Sequence, residues 1–366
     1  MTMALEVNGV SYVNFVAASC SIRLDALSNS FSFEAAMPEG EPLPFKGGEA
    51  CAVYVNDELK LTGNIEVIDV NYQSGRHTVI VAGRDKTGDL LDSTLDAIPD
   101  IRAPISLKQL VEKVVNHLGL DIKVIDQVQP ELFNEAEDIA SPEPGENAFV
   151  FIEKYSRKRQ TLLTSDPDGN IVIASNSGDT AVGAVQHIIG ASDNNVISSS
   201  FSFDTTGRFN LYKTVSQLNP VALNLAGETD LASVVNQGGG VSDSNIRAGR
   251  QMVLVSETPF SSSESEARSK WEADIRRSRG LAYSASVTGY TVDASDPDSD
   301  LWDINKIYQI VDDFLGKQEP MLCNLVTFTL DLDSGEQTAL GFVDEKTYTL
   351  DLTKPVTSTT AAGIFG

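Results

Sequence analysis

The chain has 366 residues, 41% of them hydrophobic and 22% charged, which predicts about two to four globular units, each with its own core. Its 27 basic and 52 acidic residues give a formal net charge of −25, which argues against a protein that grips nucleic acid phosphates. No apolar run reaches the ~18 residues that a membrane-spanning helix needs, and the N-terminus shows no secretory signal.

The first 95 residues contain short segments rich in β-branched and aromatic residues, separated by turn-forming residues. The predicted strands cover residues 11–15, 19–24, 31–35, 50–56, 60–70 and 77–82. Short strands at regular spacing are typical of a small antiparallel barrel or sandwich. We therefore expect an all-β unit at the start of the chain.

The next region, to about residue 190, has a mixed α and β pattern. Ser106 and Gln109 form a capping box before a helix over 107–118, which Gly119 ends. A second helix is predicted over 148–159, after an acidic loop with three prolines. The turn from Asp166 to Gly169 then predicts a β-hairpin.

The last third of the chain is again rich in strand patterns. Strands are predicted over 196–203, 209–216 and 251–256, followed by a long helix that Ser263 and Glu266 cap. Residues 282–348 are β-rich, and the small, polar segment 355–366 is typical of a disordered tail or a docking arm.

Two distant segments, 63–78 and 323–338, match at a constant offset of 260 residues. The identical pairs are Asn64/Asn324, Ser74/Ser334, Gly75/Gly335 and Thr78/Thr338, and Gly63 opens the first copy. Residues 53–57 also resemble 309–313, at an offset of 256. A duplicated barrel explains this pattern better than two unrelated hairpins that share turn residues. Three such chains in a closed ring would show six similar faces, enough to join a sixfold tube to a threefold object.

The candidate ligand and catalytic sites do not reach a complete pattern. Asp296, Asp298 and Asp300 have the first spacings of a calcium loop, but Leu301 and Ile307 replace its glycine and its glutamate. The glycine run at 238–240 lacks the lysine of a phosphate loop. The remaining candidates are the three histidines, His77, His117 and His187, and the three cysteines, Cys20, Cys51 and Cys323, and both sets are too dispersed for a metal site. We predict no catalytic residues, no metal and no cofactor.

The chain resembles the baseplate hub proteins of Mu-like contractile phages, the related late-control D proteins and the N-terminal hub part of type VI secretion VgrG. The matching segments are 44–48, 61–65, 81–93, 144–146, 166–170, 289–290, 301–302 and 326–340. The most specific is 81–93, which holds Gly83, Asp85, Gly88 and Asp89, where the first barrel would turn into the next domain. Unlike VgrG, the chain ends soon after the second barrel, with no spike-forming repeat.

The resemblance implies a mainly β, α+β fold with two similar antiparallel β-barrel domains plus an α/β domain, in a trimeric ring with pseudo-sixfold symmetry. The expected domains are a first barrel (1–95), an α/β domain (96–190), a second, interrupted barrel (191–220 and 282–350), an insertion packed on the α/β domain (221–281) and a tail (351–366). The expected partners are two further copies of the chain, the tail tube protein, the central spike protein and the baseplate wedge proteins.

The implied function is a structural, non-enzymatic baseplate hub in the virion, assembled in the host cytoplasm, without a membrane partner. DNA would pass through its lumen without being bound, and the acidic excess would then line that lumen; an ordinary solvated surface explains the charge equally well. Two alternatives stay open: the hub of a type VI-like or bacteriocin injection machine, and a glycan-binding or glycan-cleaving protein with Trp271 or Trp302 in its cleft. Both tryptophans fall on apolar faces, which favours the core.

Overall fold

A computed structural model describes residues 3–36, 44–73, 76–96, 98, 101–134, 139–217, 235–237, 240–255, 262–296 and 298–348. Within them the helices are Gly88–Asp92 (α1), Leu107–Leu118 (α2), Ala148–Lys158 (α3) and Ser262–Arg279 (α4). The strands are Met3–Val7 (β1), Val10–Tyr12 (β2), Ala17–Arg23 (β3), Ser30–Ala36 (β4), Ala50–Val55 (β5), Glu58–Gln73 (β6), Arg76–Asp85 (β7), Val124–Asp126 (β8), Leu162–Ser165 (β9), Ile171–Ala174 (β10), Thr180–His187 (β11), Val196–Phe203 (β12), Leu211–Gln217 (β13), Val235–Gln237 (β14), Val241–Ser242 (β15), Gln251–Val255 (β16), Leu281–Thr288 (β17), Ile307–Asp312 (β18), Lys317–Asp331 (β19) and Gly335–Asp344 (β20). The fold is mainly β, as predicted.

Most strands belong to one 13-stranded sheet, with the order β12-β17-β20-β19-β3-β4-β7-β6-β5-β1-β2. Strand β18 also pairs with β19, and β11 pairs with β18. The sequence predicted two separate antiparallel barrels, but the two halves form a single open sheet because β3 pairs with β19. The β11–β18 pair is parallel, so β11 also departs from the predicted antiparallel pattern and from its expected place in the α/β domain.

The large sheet repeats one arrangement of five strands. The first β-group has the spatial order β3-β4-β7-β6-β5, and the second β-group has the order β12-β17-β20-β19-β18. The corresponding strands also follow one another in the same order along the chain. The groups differ at one connection, because six residues (24–29) join β3 to β4 whereas residues 204–280 separate β12 from β17. The second group is therefore interrupted, as the sequence predicted.

The α/β unit has its own core and confirms the predicted helices and hairpin. Ser106 Oγ accepts a hydrogen bond from the Gln109 amide at 3.1 Å, and the Gln109 side chain accepts one from the Ser106 amide. Gly119 ends α2 with a φ of 70°, the left-handed conformation expected at that position. A three-stranded sheet, β8-β10-β9, packs on α2 and α3, with the Gly169 amide donating to the Asp166 carbonyl in the β9–β10 turn.

The inserted segment forms a separate small sheet beside α4. Strand β13 was expected in the second barrel, but it pairs with β14, β15 and β16 instead. Helix α4 begins at Ser262, so the predicted cap residue Ser263 lies inside the helix. The helix contacts both neighbours: Ser269 Oγ lies 2.9 Å from Thr214 Oγ1 on β13, and Glu264 forms an ion pair with Arg159 at the end of α3.

Candidate assembly surface

The two predicted repeats fold as the same three-stranded antiparallel meander. In the first, β5, β6 and β7 have 6, 16 and 10 residues; in the second, β18, β19 and β20 have 6, 15 and 10. Each long middle strand carries one β-bulge against the third strand, at Glu66 in β6 and at Asn324 in β19. A bulge bends the strand at a fixed place, so the two bulges mark equivalent positions.

The bulges correct the predicted offset of 260 residues. Glu66 and Asn324 are 258 residues apart, so Asn64 is not the counterpart of Asn324. On the returning strand the offset is 259, because Gly83 pairs before the first bulge and Phe342 before the second. The cause lies in the turns: two residues join β6 to β7, whereas three join β19 to β20.

The burial of the strands supports this corrected register. At offset 259, buried Val79, Val81 and Gly83 on β7 fall on buried Thr338, Leu340 and Phe342 on β20. The predicted offset of 260 would instead pair buried positions with exposed ones. Likewise β5 and β18 agree at 257 rather than the predicted 256, which would place buried Val53 on exposed Gln309.

Four of the predicted motif positions meet where β6 and β7 cross closely. Gly63 pairs with Asp85, and Gly83 pairs with Ile65 next to Asn64. A Cβ on Gly63 would lie 1.9 Å from the Arg84 carbonyl oxygen, and one on Gly83 would lie 2.0 Å from the Asn64 carbonyl oxygen. No side chain fits at that distance, so both glycines are required by backbone contact.

Asp85 ends β7 and joins three parts of the chain. The carboxylate is 2% exposed and accepts hydrogen bonds from the Asn29 amide and Ser28 Oγ, both at 2.9 Å, and from Ser165 Oγ on β9. It also accepts from the amide and hydroxyl of Thr87, at 3.2 and 2.6 Å. Asp85 therefore connects the first β-group to the α/β unit.

Burial raises the pKa of the Asp85 carboxyl above its usual value. The hydrogen bonds from Ser165, Thr87, Asn29 and Ser28 act in the opposite direction and only partly offset this effect. The site is thus one in which the neutral acid is favoured relative to an exposed aspartate.

The remaining motif positions are placed as follows. Gly88 and Asp89 begin the short helix α1, where a turn was predicted. Ser334 ends the β19–β20 turn, and Gly335 opens β20 with a φ of 74°. Ser74 and Gly75 lie outside the described residues, as do residues 238–239 and the tail. The role of all these residues in assembly stays a prediction.

Beyond its bulge, β6 has an open edge. Strand β5 pairs with β6 only up to Asn64, and the amide of Ile65 is bonded to the Glu49 carbonyl. From Glu66 to Gln73, β7 is the one strand paired with β6 among the described residues. Three side chains along this edge, Ile68, Val70 and Tyr72, share the face that packs toward the core at Ile68, and Val70 and Tyr72 are 56% and 79% exposed.

A second open edge lies on β12. In the described part of the chain β12 pairs with β17 alone. Phe201 packs partly against the main core, and Phe203, two residues further on the same face, is 62% exposed. Such an edge offers unpaired backbone donors and acceptors to another strand.

The other candidate sites have structural explanations. Asp298 donates its amide to Asp296 Oδ1 in an exposed turn, and the described residues hold no group of three metal-ligating side chains. The three cysteines are buried and unbridged, and burial raises the pKa of Cys20 and of Cys51 to about 12. Trp302 is 1% exposed and packs on Tyr308, while Trp271 packs against the small cluster beside α4. No helix among the described residues is long and apolar enough to cross a membrane.

Sequence reasoning missed β1 and the pairing of β3 with β19. Met3, Leu5 and Val7 alternate with less buried residues, a period of two that was available in the sequence. The β3–β19 pairing joins residues some 300 positions apart, and no local pattern identifies such a partner.

Comparisons with known proteins agree with the predicted resemblance. A family model for the N-terminal domain of the Mu phage baseplate assembly protein GpP-like matches residues 2–85, and one for the second domain of the baseplate hub protein gp44-like matches residues 87–175. The chain is 22% identical over 345 residues to baseplate hub protein gp44 of Escherichia phage Mu, covering 92% of this chain and 86% of that protein.

Solved structures extend the likeness. The 43 kDa tail protein of prophage MuSo2 from Shewanella oneidensis superposes with a TM-score of 0.77 and 25% identity, over 96% of this chain and all of that one. The E. coli c3393 protein, a type VI secretion component, has a TM-score of 0.55 and 10% identity, over 93% of this chain and 76% of that one. At that identity the second likeness concerns the fold alone.

Proposed function

Because the chain belongs to the phage-tail baseplate hub proteins related to gp44, we propose that it is the trimeric hub of a contractile tail, joining the sixfold tail tube to the threefold central spike. The observation that carries this proposal is the repeated five-strand group, whose two copies have the same strand order. Three chains would display six such groups, and a closed ring of six similar faces matches a sixfold tube. The three chains themselves match a threefold spike.

In this proposal the part played by the protein is structural. It contacts tube, spike and wedge proteins in the virion after assembly in the host cytoplasm, and each group contributes to a barrel that closes only in the ring. DNA passes through the lumen. The net charge of −25 would then repel the phosphates and keep DNA from adhering to the wall.

The hub of a type VI-like or bacteriocin injection machine is the second candidate, since a type VI secretion component shares the fold. The phage hub is favoured because the relative at 22% identity and the structure at 25% identity are both phage or prophage proteins. The glycan alternative loses its support, because it needs a tryptophan in an open cleft and Trp302 is buried.

Mass measurement by light scattering, with electron microscopy of the same sample, tests the proposal. We expect three chains per particle and threefold rings with six similar lobes. A monomer at every concentration, both alone and with purified tube and spike proteins, would contradict the hub. Rings of another symmetry would contradict the adaptor in particular.

A further inference from the structure

We propose that the ring closes by strand pairing: β12 of one chain pairs antiparallel with the open edge of β6 (residues 66–73) of the next. This inference rests on the proposed trimer and specifies its interface. The argument uses the internal seam, defined as the antiparallel pairing of β3 with β19 from Leu325 to Asp331 within one chain.

The occupant of each open edge follows from the repeat. In the internal seam, a strand of the first β-group, β3, covers the far half of the long strand of the second, β19. The counterparts of these two strands are β12 and β6, and both have an open edge. One chain thus carries both complementary halves of a second seam, and a head-to-tail contact between such halves closes into a ring.

The register of the second seam follows from the same correspondence. Strand β6 maps to β19 at an offset of 258 residues, through the bulges. Strand β3 maps to β12 at an offset of 181, because Ala17 pairs with Glu34 on β4 where Ser198 pairs with Ser286 on β17. The burial phase of β4 and β17 agrees with this alignment, with Phe31 and Tyr283 equivalent and buried.

The predicted contacts bury the apolar side chains that one chain leaves exposed. In the internal seam Val326 pairs with Ile22 and Phe328 with Cys20, and all four are buried. The equivalent pairs between chains are Ile68 with Phe203 and Val70 with Phe201. Apolar cross-strand pairs of this kind stabilise a sheet, and pairing removes two open edges at the same time.

The opposite face of the seam is polar in both places. Ser21 Oγ lies 3.0 Å from Thr327 Oγ1 across the internal seam. The equivalent residues are Ser202 and Asp69, so the serine hydroxyl of one chain would donate to the carboxylate of the next. Ser200 and Asn71 form the neighbouring polar pair. Both faces of the two edges are therefore complementary in this register.

Disulfide trapping tests the register in the full chain. We expect the double variant Asp69→Cys/Ser202→Cys, oxidised under native conditions, to migrate as covalent multimers up to three chains. A mixture of the two single variants should give only covalent dimers. The three native cysteines are buried, so they contribute little background. Ser21→Cys/Thr327→Cys is the positive control, since it should close within one chain and leave the mass unchanged.

Asp69→Cys/Ser198→Cys is the matched negative control. Ser198 should lie on the same face as Ser202, but it is four residues away, about 13 Å along the strand, which is too far for a disulfide. Cross-linking of this variant as efficient as that of Asp69→Cys/Ser202→Cys would overturn the register.

A second pair of variants separates the seam from the trimer itself. Val70→Lys should weaken trimer formation roughly tenfold or more, because the lysine would be forced into the apolar face of the seam. Val255→Lys changes a similarly exposed valine on the separate small sheet and should leave association unchanged. If the unmodified protein is a trimer that neither cross-links nor responds to Val70→Lys, the seam is wrong and the hub stands. If it never trimerises, the proposed function fails first.

Discussion

Strands β6 and β19 occupy the same place in the two β-groups, yet their far halves have opposite surroundings. Val326 and Phe328 of β19 are fully covered because β3 lies beside them, whereas Val70 and Tyr72 of β6 face solvent. Both strands alternate apolar and polar residues there, so the difference comes from the neighbour and not from the strand. An apolar, exposed edge in one copy can thus be interpreted by looking at what covers its duplicate.

The comparison is sharpened most strongly at the glycine crossing of the first group. Gly83→Ala should destabilise the fold by about 3 kcal/mol or more, because its Cβ would overlap the Asn64 carbonyl oxygen. Gly341→Ala, at the corresponding crossing of the second group, should cost only about 1–2 kcal/mol, since the nearest atom is a side-chain carbon at 3.0 Å. Urea unfolding measures both, and Gly47→Ala, in open space, is the control. Equal losses at both crossings would show that the groups pack alike there.

Asp85 and Asp344 offer a second contrast, because both end the third strand of a meander and each accepts the amide two residues ahead. Asp85→Ala should cost about 2–4 kcal/mol of unfolding free energy, because it leaves several buried donors without an acceptor. Asp344→Ala removes one exposed hydrogen bond and should cost less than about 1 kcal/mol. Denaturant unfolding tests the pair, and similar losses would contradict the linking role of Asp85.

The pH dependence of that contrast has a definite sign. Because the folded-state pKa of Asp85 is raised, the folded protein holds the proton more tightly than the unfolded chain does. The resulting stabilisation is complete below the unfolded pKa of about 4 and is lost as pH rises through the folded pKa. We expect the unfolding free energy of the protein, minus that of Asp85→Asn, to fall with rising pH. A difference that rises instead would mean that the hydrogen bonds outweigh burial.

The smallest expected effect concerns the polar face of the internal seam. A double-mutant cycle with Ser21→Ala and Thr327→Val should give a coupling of about 0.5–1 kcal/mol, typical of a half-buried hydroxyl pair. The corresponding cycle on Ser202 and Asp69 should show coupling in the trimer and none under conditions that keep the chain monomeric. Coupling in the monomer would require a different partner for Asp69.

Local patterns predicted most of the elements. The capping box at Ser106 and the glycine at 119 fixed both ends of α2, and five of the six strands predicted at the start of the chain match closely. The duplication was also detected, but its register was two residues off on β6, because Ser-Gly turns are common and their identity attracted the alignment to the wrong place. Turn length and bulges set the register of a hairpin, and neither is visible in the identities.

The candidate site was predictable only in part. The sequence marked Gly63, Gly83 and Asp85 as motif positions, but their meaning depends on contacts with distant residues such as Ser165. The merging of two expected barrels into one sheet had no local signal either, because the strands concerned, β3 and β19, lie at opposite ends of the chain. Non-local pairing is the part of a β fold that periodicity cannot supply.

The long connection between β12 and β17 has a consequence for the order of folding. Closing the 77 residues from 204 to 280 costs about 2 kcal/mol more conformational entropy than closing the six residues between β3 and β4, if the connection is treated as a flexible chain. The insertion has a fold of its own, which makes this an upper bound. We expect β12 to exchange its amide hydrogens fastest of the five strands of its group, so that the strand presented to an incoming subunit is also the one that reaches its final position last.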